Sequence, residues 1–161
     1  MQGMSELHRY KPYNARTIRE TPYWHRLTPA LQEAMDVVAR VMPFRTNEYV
    51  LETLIDWDNI PDDPIFRMTF PHPDMLLPKE YASLKQLIEQ DDAAAIKRRI
   101  EAIWLRMNPH PAGQLTHNSA SLDGKVLPGI QHKYRETVLF FPGAGQTCHA
   151  YCTFCFRWAQ F

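Results

Sequence analysis

The sequence predicts an α/β protein in which helices come first and lead into a single strand followed by a cysteine-bearing loop. Three observations carry that expectation. Apolar residues recur at helical spacing between Thr28 and Met107. A brief continuous apolar run, Val138-Leu139-Phe140-Phe141, is β-branched and aromatic enough for a buried strand, and Pro142-Gly143 bounds it. All three cysteines of the chain then fall between Cys148 and Cys155. A length of 161 residues suits one ordinary domain with a sizeable core.

Residues 1–27 read as an irregular N-terminal arm. In it Tyr10, Tyr13, Tyr23 and Trp24 are suited to docking on the body or on a second subunit of a homo-oligomer. The helical region spans 28–107. Thr28 is placed to cap its first helix, and Pro29 sits where a missing N–H costs nothing. Leu31, Met35, Val38 and Met42 share one face until Pro43 stops that helix. A second, short helix follows an Asn47 cap, with Val50, Leu51, Leu54 and Ile55 at the right spacing. Five prolines from Pro61 to Pro78 then deny any long element. Asp56, Asp58, Asp62 and Asp63 lack the alternation and glycine of a calcium loop, so they read as turn and cap residues. Tyr81, Leu84 and Ile88 mark a third helix. Ile96, Ile100, Ile103 and Met107 mark a fourth, capped by Asp92, on which Lys97, Arg98 and Arg99 form a solvated face. Residues 108–136 read as a connector, because Pro109, Pro111, Gly113, Gly124, Pro128 and Gly129 interrupt regular structure. The strand and cysteine loop occupy 137–161.

Composition narrows the function classes. With 18 Lys+Arg against 18 Asp+Glu, the chain lacks the basic excess that grips nucleic acid through phosphates. Charged residues at 22% and aromatics at 12% make a globular profile, not a disordered one. Residues 1–20 carry Glu6, Arg9, Lys11, Arg16 and Arg19 with no apolar core, so they do not read as a secretory signal. The charge-free run Thr137 to Phe156 is long enough to span a membrane. It holds Pro142, Gly143, Gly145, Gln146, Thr147 and His149, however, and reads instead as a buried site. An odd number of cysteines would leave one thiol outside a disulfide framework. The expected location is the cytoplasm, with no membrane or nucleic-acid partner.

Cys148-His-Ala-Tyr-Cys152-Thr-Phe-Cys155 has Cys-x3-Cys-x2-Cys spacing, which lets a loop aim three thiolates at one point. Zinc is one reading, in which the chain is a small zinc-binding structural or interaction module. Structural zinc wants four ligands, though, and His149 is awkwardly adjacent to Cys148. A 4Fe-4S cluster on three thiolates is the other, with one iron left open for a small molecule. Gly143-Ala-Gly145 is too short for a dinucleotide fingerprint and reads as a tight turn.

Cys148, Cys152 and Cys155, with Phe154 immediately before the last, resemble the signature of the radical S-adenosylmethionine (SAM) superfamily. Pro128-Gly-Ile-Gln-His-Lys-Tyr134, the strand Val138–Phe141 and Tyr151-Cys152-Thr-Phe-Cys155-Phe-Arg157 are similar to the lysine 2,3-aminomutase family. The motif match covers residues 128–158. The resemblance implies a 4Fe-4S cluster on Cys148, Cys152 and Cys155, and SAM chelated by the open iron and cleaved to a 5′-deoxyadenosyl radical. It also implies pyridoxal phosphate (PLP)-dependent migration of an amino group between adjacent carbons of an amino acid substrate, an isomerase activity. Phe154 would lie near the adenosyl group, and Arg157 would meet the substrate carboxylate or a cofactor. His132 and Tyr134 would be structural parts of the connector, and His149 a loop residue. An electron donor such as flavodoxin or ferredoxin is the implied protein partner. Thr153 stands where the family commonly has arginine, so the resemblance implies an amino acid substrate without fixing it as lysine.

The implied fold is a partial (β/α) barrel preceded by helices. Such barrels typically need about 200 residues or more. The chain is therefore expected to be an N-terminal fragment, apparently truncated just after the cluster motif and inactive alone. The family's PLP lysine is not assigned to any residue here, Lys125 and Lys133 included.

Overall fold

A computed structural model describes residues 9–107, 117, 119–140 and 150–151, and for Pro128, Lys133 and Tyr134 the backbone alone. Helices and antiparallel sheet both occur, in keeping with a mixed α and β chain. The chain divides into two compact units, Met1–Tyr81 and Ala82–Phe161. Among the described residues no helix is long and apolar enough to cross a membrane.

In the first unit, residues read as an irregular arm are part of the body. Strand β1 (Pro12–Asn14) pairs antiparallel with β2 (Arg45–Asn47), with Tyr13 opposite Thr46. The Asn14 side chain accepts hydrogen bonds from the amides of Arg16 and Thr17, a local turn that competes with strand and starts two 3-10 turns, Thr17–Glu20 and Pro22–Arg26. Tyr13, Ile18 and Leu27 enter the core from this segment, and Tyr23 and Trp24 pack against it. Tyr10 remains exposed beside Tyr49.

Helix α1 (Pro29–Val38) starts as its sequence dictates, with the Thr28 hydroxyl accepting from the Leu31 amide at 3.3 Å. Leu31, Ala34, Met35, Val37 and Val38 are buried on it. It ends at Val38, short of the expected Pro43, in a turn closed by the Val41 and Met42 amides on the Val38 carbonyl. The Gln32 amide donates to the carbonyls of Trp24 and Leu27, which ties α1 to the preceding turn. Asn47 caps the next segment by accepting from the Val50 amide, yet Val50–Leu54 winds as a wide π-type turn. That wider winding buries Leu51 and leaves Leu54 exposed. Asp63 then caps α2 (Pro64–Thr69) through a 2.6 Å bond from the Phe66 amide.

Those caps aim rings at one another. Phe66 and Phe70 stack with centroids 4.5 Å apart, Trp57 meets both edge-on, and Tyr23 stacks on Trp57. The Trp57 indole N–H is satisfied by the Leu51 carbonyl at 2.7 Å. An indole that buries its face and pairs its only donor gains area without a polar penalty.

Helix α3 (Pro78–Glu89) begins in the first unit, where the Glu80 carboxylate accepts from the Leu77 amide. In the second unit Asp91, at φ 53°, turns the chain, and Asp92 caps α4 (Ala93–Met107) by accepting from the Ala95 amide. Ile96 and Ile103 are buried on α4, and the Arg99 Nε donates to the Ser83 hydroxyl of α3.

Within the segment 108–136, read as a connector interrupted by prolines and glycines, residues 119–122 and 125–134 form strands. Strands β3 (Ser119–Leu122), β4 (Lys125–Tyr134) and β5 (Thr137–Phe140) form an antiparallel sheet in that order. Asp123 and Gly124, at φ 50° and 75°, make the two-residue turn whose backbone twist suits a hairpin. Gly129 at φ 77° lies within β4, where the β3 register shifts, so this glycine marks an irregularity in the strand and does not end it. The expected buried strand is also corrected. Val138 is 57% and Phe140 68% exposed, because β5 has β4 as its partner on one side and two positions of its apolar run face outward.

Candidate functional site

The described structure reaches the cysteine motif through the β4–β5 hairpin. Ile130 lies opposite Phe140, Gln131 opposite Leu139 and His132 opposite Val138, and a two-residue turn at Arg135-Glu136 joins the strands. Alternation sorts these residues onto two faces. Ile130, His132, Val138 and Phe140 share one; Gln131 and Leu139 share the other, with Ser119 of β3 also paired to Gln131. Among the described residues this hairpin is the local platform nearest in sequence to the motif.

Cys148, Cys152 and Cys155, with Phe154, Arg157 and His149, lie outside the described residues. Their proposed roles therefore rest on spacing and residue type. Of residues 141–161 the structure describes Ala150 and Tyr151. Tyr151 is half-buried, and burial raises its phenol pKa above the ordinary value, so it stays protonated at neutral pH. His132 is exposed, with its Nε2 3.4 Å from the Arg135 carbonyl, and Lys133 and Tyr134 contribute backbone to β4. Among the described residues no three His, Cys, Asp or Glu side chains gather to hold a metal ion. The aspartates read as turn and cap residues behave that way: Asp63 caps α2, and the Asp56 carboxylate accepts from the Asp58 amide.

Gln131 gave no signal in the sequence. It is buried, at 7% exposure, and its Oε1 has no hydrogen-bond partner among the described residues. An apolar side chain would fill that central-strand position at lower cost, since an unmet buried acceptor forfeits about 1–3 kcal/mol. Strand alternation through Ile130, Gln131 and His132 was the available clue, and it had to be read across Pro128-Gly129.

The donor set suits an iron–sulfur cluster chemically. Three thiolates supply soft, anionic ligands and leave a cluster one iron short of full protein ligation. Comparison of the chain with protein-family models, with curated proteins and with solved structures found no match.

Proposed function

We propose that the chain belongs to a radical SAM enzyme of the lysine 2,3-aminomutase type, acting on an amino acid. The observation that carries the reading is the Cys148-x3-Cys152-x2-Cys155 spacing, set in a charge-free segment that directly follows strand β5. Cys148, Cys152 and Cys155 would hold a 4Fe-4S cluster, and SAM would bind there. When bound, the cluster and SAM supply a carbon radical able to take hydrogen from an unactivated position, and PLP supplies the means for amino-group migration.

The work of the chain's own residues is binding and orientation. The three thiolates would fix the cluster, and Phe154 would lie near the adenosyl group. The planar guanidinium of Arg157 offers paired donors to a carboxylate or phosphate, which sets the direction of the bound amino acid.

Anaerobic reconstitution with iron and sulfide tests the reading. About four irons and four sulfides per chain are expected, with thiolate-to-iron absorbance near roughly 400 nm. Cys148→Ala, Cys152→Ala and Cys155→Ala should each abolish it. Stoichiometric zinc with no iron or acid-labile sulfide, in protein purified without air, would overturn it in favour of a zinc-stabilised interaction module.

A further inference from the structure

We propose that Asp123 is a site of spontaneous covalent modification, where its linkage to Gly124 isomerises to an isoaspartyl one through a cyclic succinimide. That chemistry needs a carboxyl group and the backbone nitrogen of the next residue within bonding distance of each other. Three features of the molecule favour it here. Asp123-Gly124 is the one place in the sequence where Asp or Asn precedes Gly. A glycine has no Cβ to hinder approach to its nitrogen, and around Gly124 nothing lies within 4 Å of the position a Cβ would take. Both residues are exposed, at the tip of the hairpin that joins β3 to β4. Among the described residues, neither the Asp123 carboxylate nor the Gly124 amide is held by a hydrogen bond.

Asp91 supplies the contrast. It is also exposed, and its φ of 53° is close to the 50° of Asp123. The nitrogen that would attack it belongs to Asp92, which carries a Cβ and donates to the Leu87 carbonyl at 3.3 Å. Other aspartates spend their carboxylates on partners. Asp63 and Asp92 cap helices, and Asp36, Asp58 and Asp62 pair with arginines.

Ring closure joins the Gly124 nitrogen to the Asp123 Cγ, and one carboxyl oxygen leaves as water. Water then opens the ring at the Asp123 backbone carbonyl carbon, breaking its bond to the Gly124 nitrogen. The chain now runs through Cγ, and the former backbone carbonyl is a free carboxylate. Nothing is oxidised or reduced, and the water released is the water regained. One carbon has been added to a turn of two residues, the length of which sets the register of the strands it joins. The pairing of Leu122 with Lys125 is the first to be lost.

The test ages the full 161-residue chain at mildly acidic pH and body temperature, beside Asp123→Glu and Asp123→Asn. Peptide mapping reads the succinimide as a loss of one water. In wild type it reads isoaspartate as a separately eluting peptide of unchanged mass that endoproteinase Asp-N leaves uncut. Modification at 123 should exceed that at Asp91 by about tenfold or more. Asp123→Glu, which would have to close a six-membered ring, should stop it. Asp123→Asn, which releases ammonia in place of water, should speed it. Amide exchange, read in each protein before and after ageing, should quicken in β3 and β4 of the aged wild type while α1 keeps its protection. The reading before ageing separates a hairpin loosened by substitution from a ring that cannot close. No modification at 123, or as much at Asp91, would overturn the proposal. Modification that leaves exchange in the sheet unchanged would overturn its claim on strand register.

Discussion

The two units of this chain spend their apolar residues differently. In the first, Phe66, Phe70, Trp57 and Tyr23 face one another, and Ile18, Met35 and Leu51 close the cluster around them. In the second, the described sheet turns Leu122, Val126, Val138 and Phe140 to its surface. Hydrophobicity alone does not separate these sets. What separates them is whether local geometry brings several apolar side chains to a common point. The first unit achieves this with caps and turns at Asn14, Thr28, Asn47 and Asp63. A three-stranded sheet cannot do so on both its faces without another layer.

The most direct way to break this contrast is to truncate one ring from each unit. Phe66→Ala empties a site stacked on Phe70 and met by Trp57, and should cost about 3–5 kcal/mol. Phe140→Ala, at 68% exposure, should change stability by no more than about 0.5 kcal/mol. Urea unfolding followed by tryptophan fluorescence reads both. Equal losses would mean that Phe140 is covered in solution.

The next effect concerns how the first unit aims its rings. Asp63 is buried, and its carboxylate takes the Phe66 amide at 2.6 Å, so Asp63→Ala should cost about 1–2 kcal/mol. Thr28→Ala removes a longer, 3.3 Å cap from α1 and should cost about 0.5–1 kcal/mol. Thermal melts followed by circular dichroism rank the two. Reversal of that order would show that burial around Asp63 adds nothing to its cap.

These caps were also the most legible feature of the sequence. Thr28-Pro29, Asn47 and Asp92 were identified as helix starts from residue type alone, and each side chain accepts from the amide three residues on. A cap is a contact over three residues, so a short window contains its cause. The sheet was harder. Asp123-Gly124 is a strong hairpin signal, but surrounding prolines and glycines made 108–136 look like a connector. Whether those residues break a strand or bend it depends on pairing between distant segments, which no window holds. Gln131 follows the same logic, since its burial is set by Ser119 and Leu139 on neighbouring strands. The cysteines are the opposite case: their spacing speaks for a ligand chemistry without any fold.

A smaller effect sharpens the contrast from the sheet's side. Gly124 sits at φ 75° with open space around the position of an added Cβ, so Gly124→Ala costs backbone strain alone, about 1 kcal/mol. The loss should be local. Amide exchange should quicken in β3 and β4, while the buried amides of α1 keep their protection. Uniform loss across both units would show that they unfold as one.

The smallest effect is a pH dependence in the first unit. The Tyr81 hydroxyl donates to the Glu33 carboxylate at 3.1 Å, and burial, then that bond, push its pKa up to about 12 from 10. In the unfolded chain the phenol loses its proton near pH 10, while the folded chain holds it. The unfolded state therefore binds fewer protons between these values, and stability falls as pH rises through that window. Below pH 10 the whole contribution of the Tyr81–Glu33 bond is present. Tyr81→Phe removes that bond, at a cost of about 0.5–1 kcal/mol near neutral pH, and removes the titration too. The gap between wild type and variant should hold from pH 7 to 9 and close between pH 10 and 12. Tyr23 and Tyr151 are raised in the same direction by burial, so both proteins lose stability in alkali for that reason. Only the difference between them reports Tyr81. Urea midpoints at pH 8 and pH 11 supply it, and a gap that persists at pH 11 would mean the Tyr81 hydroxyl is not held to Glu33 in solution.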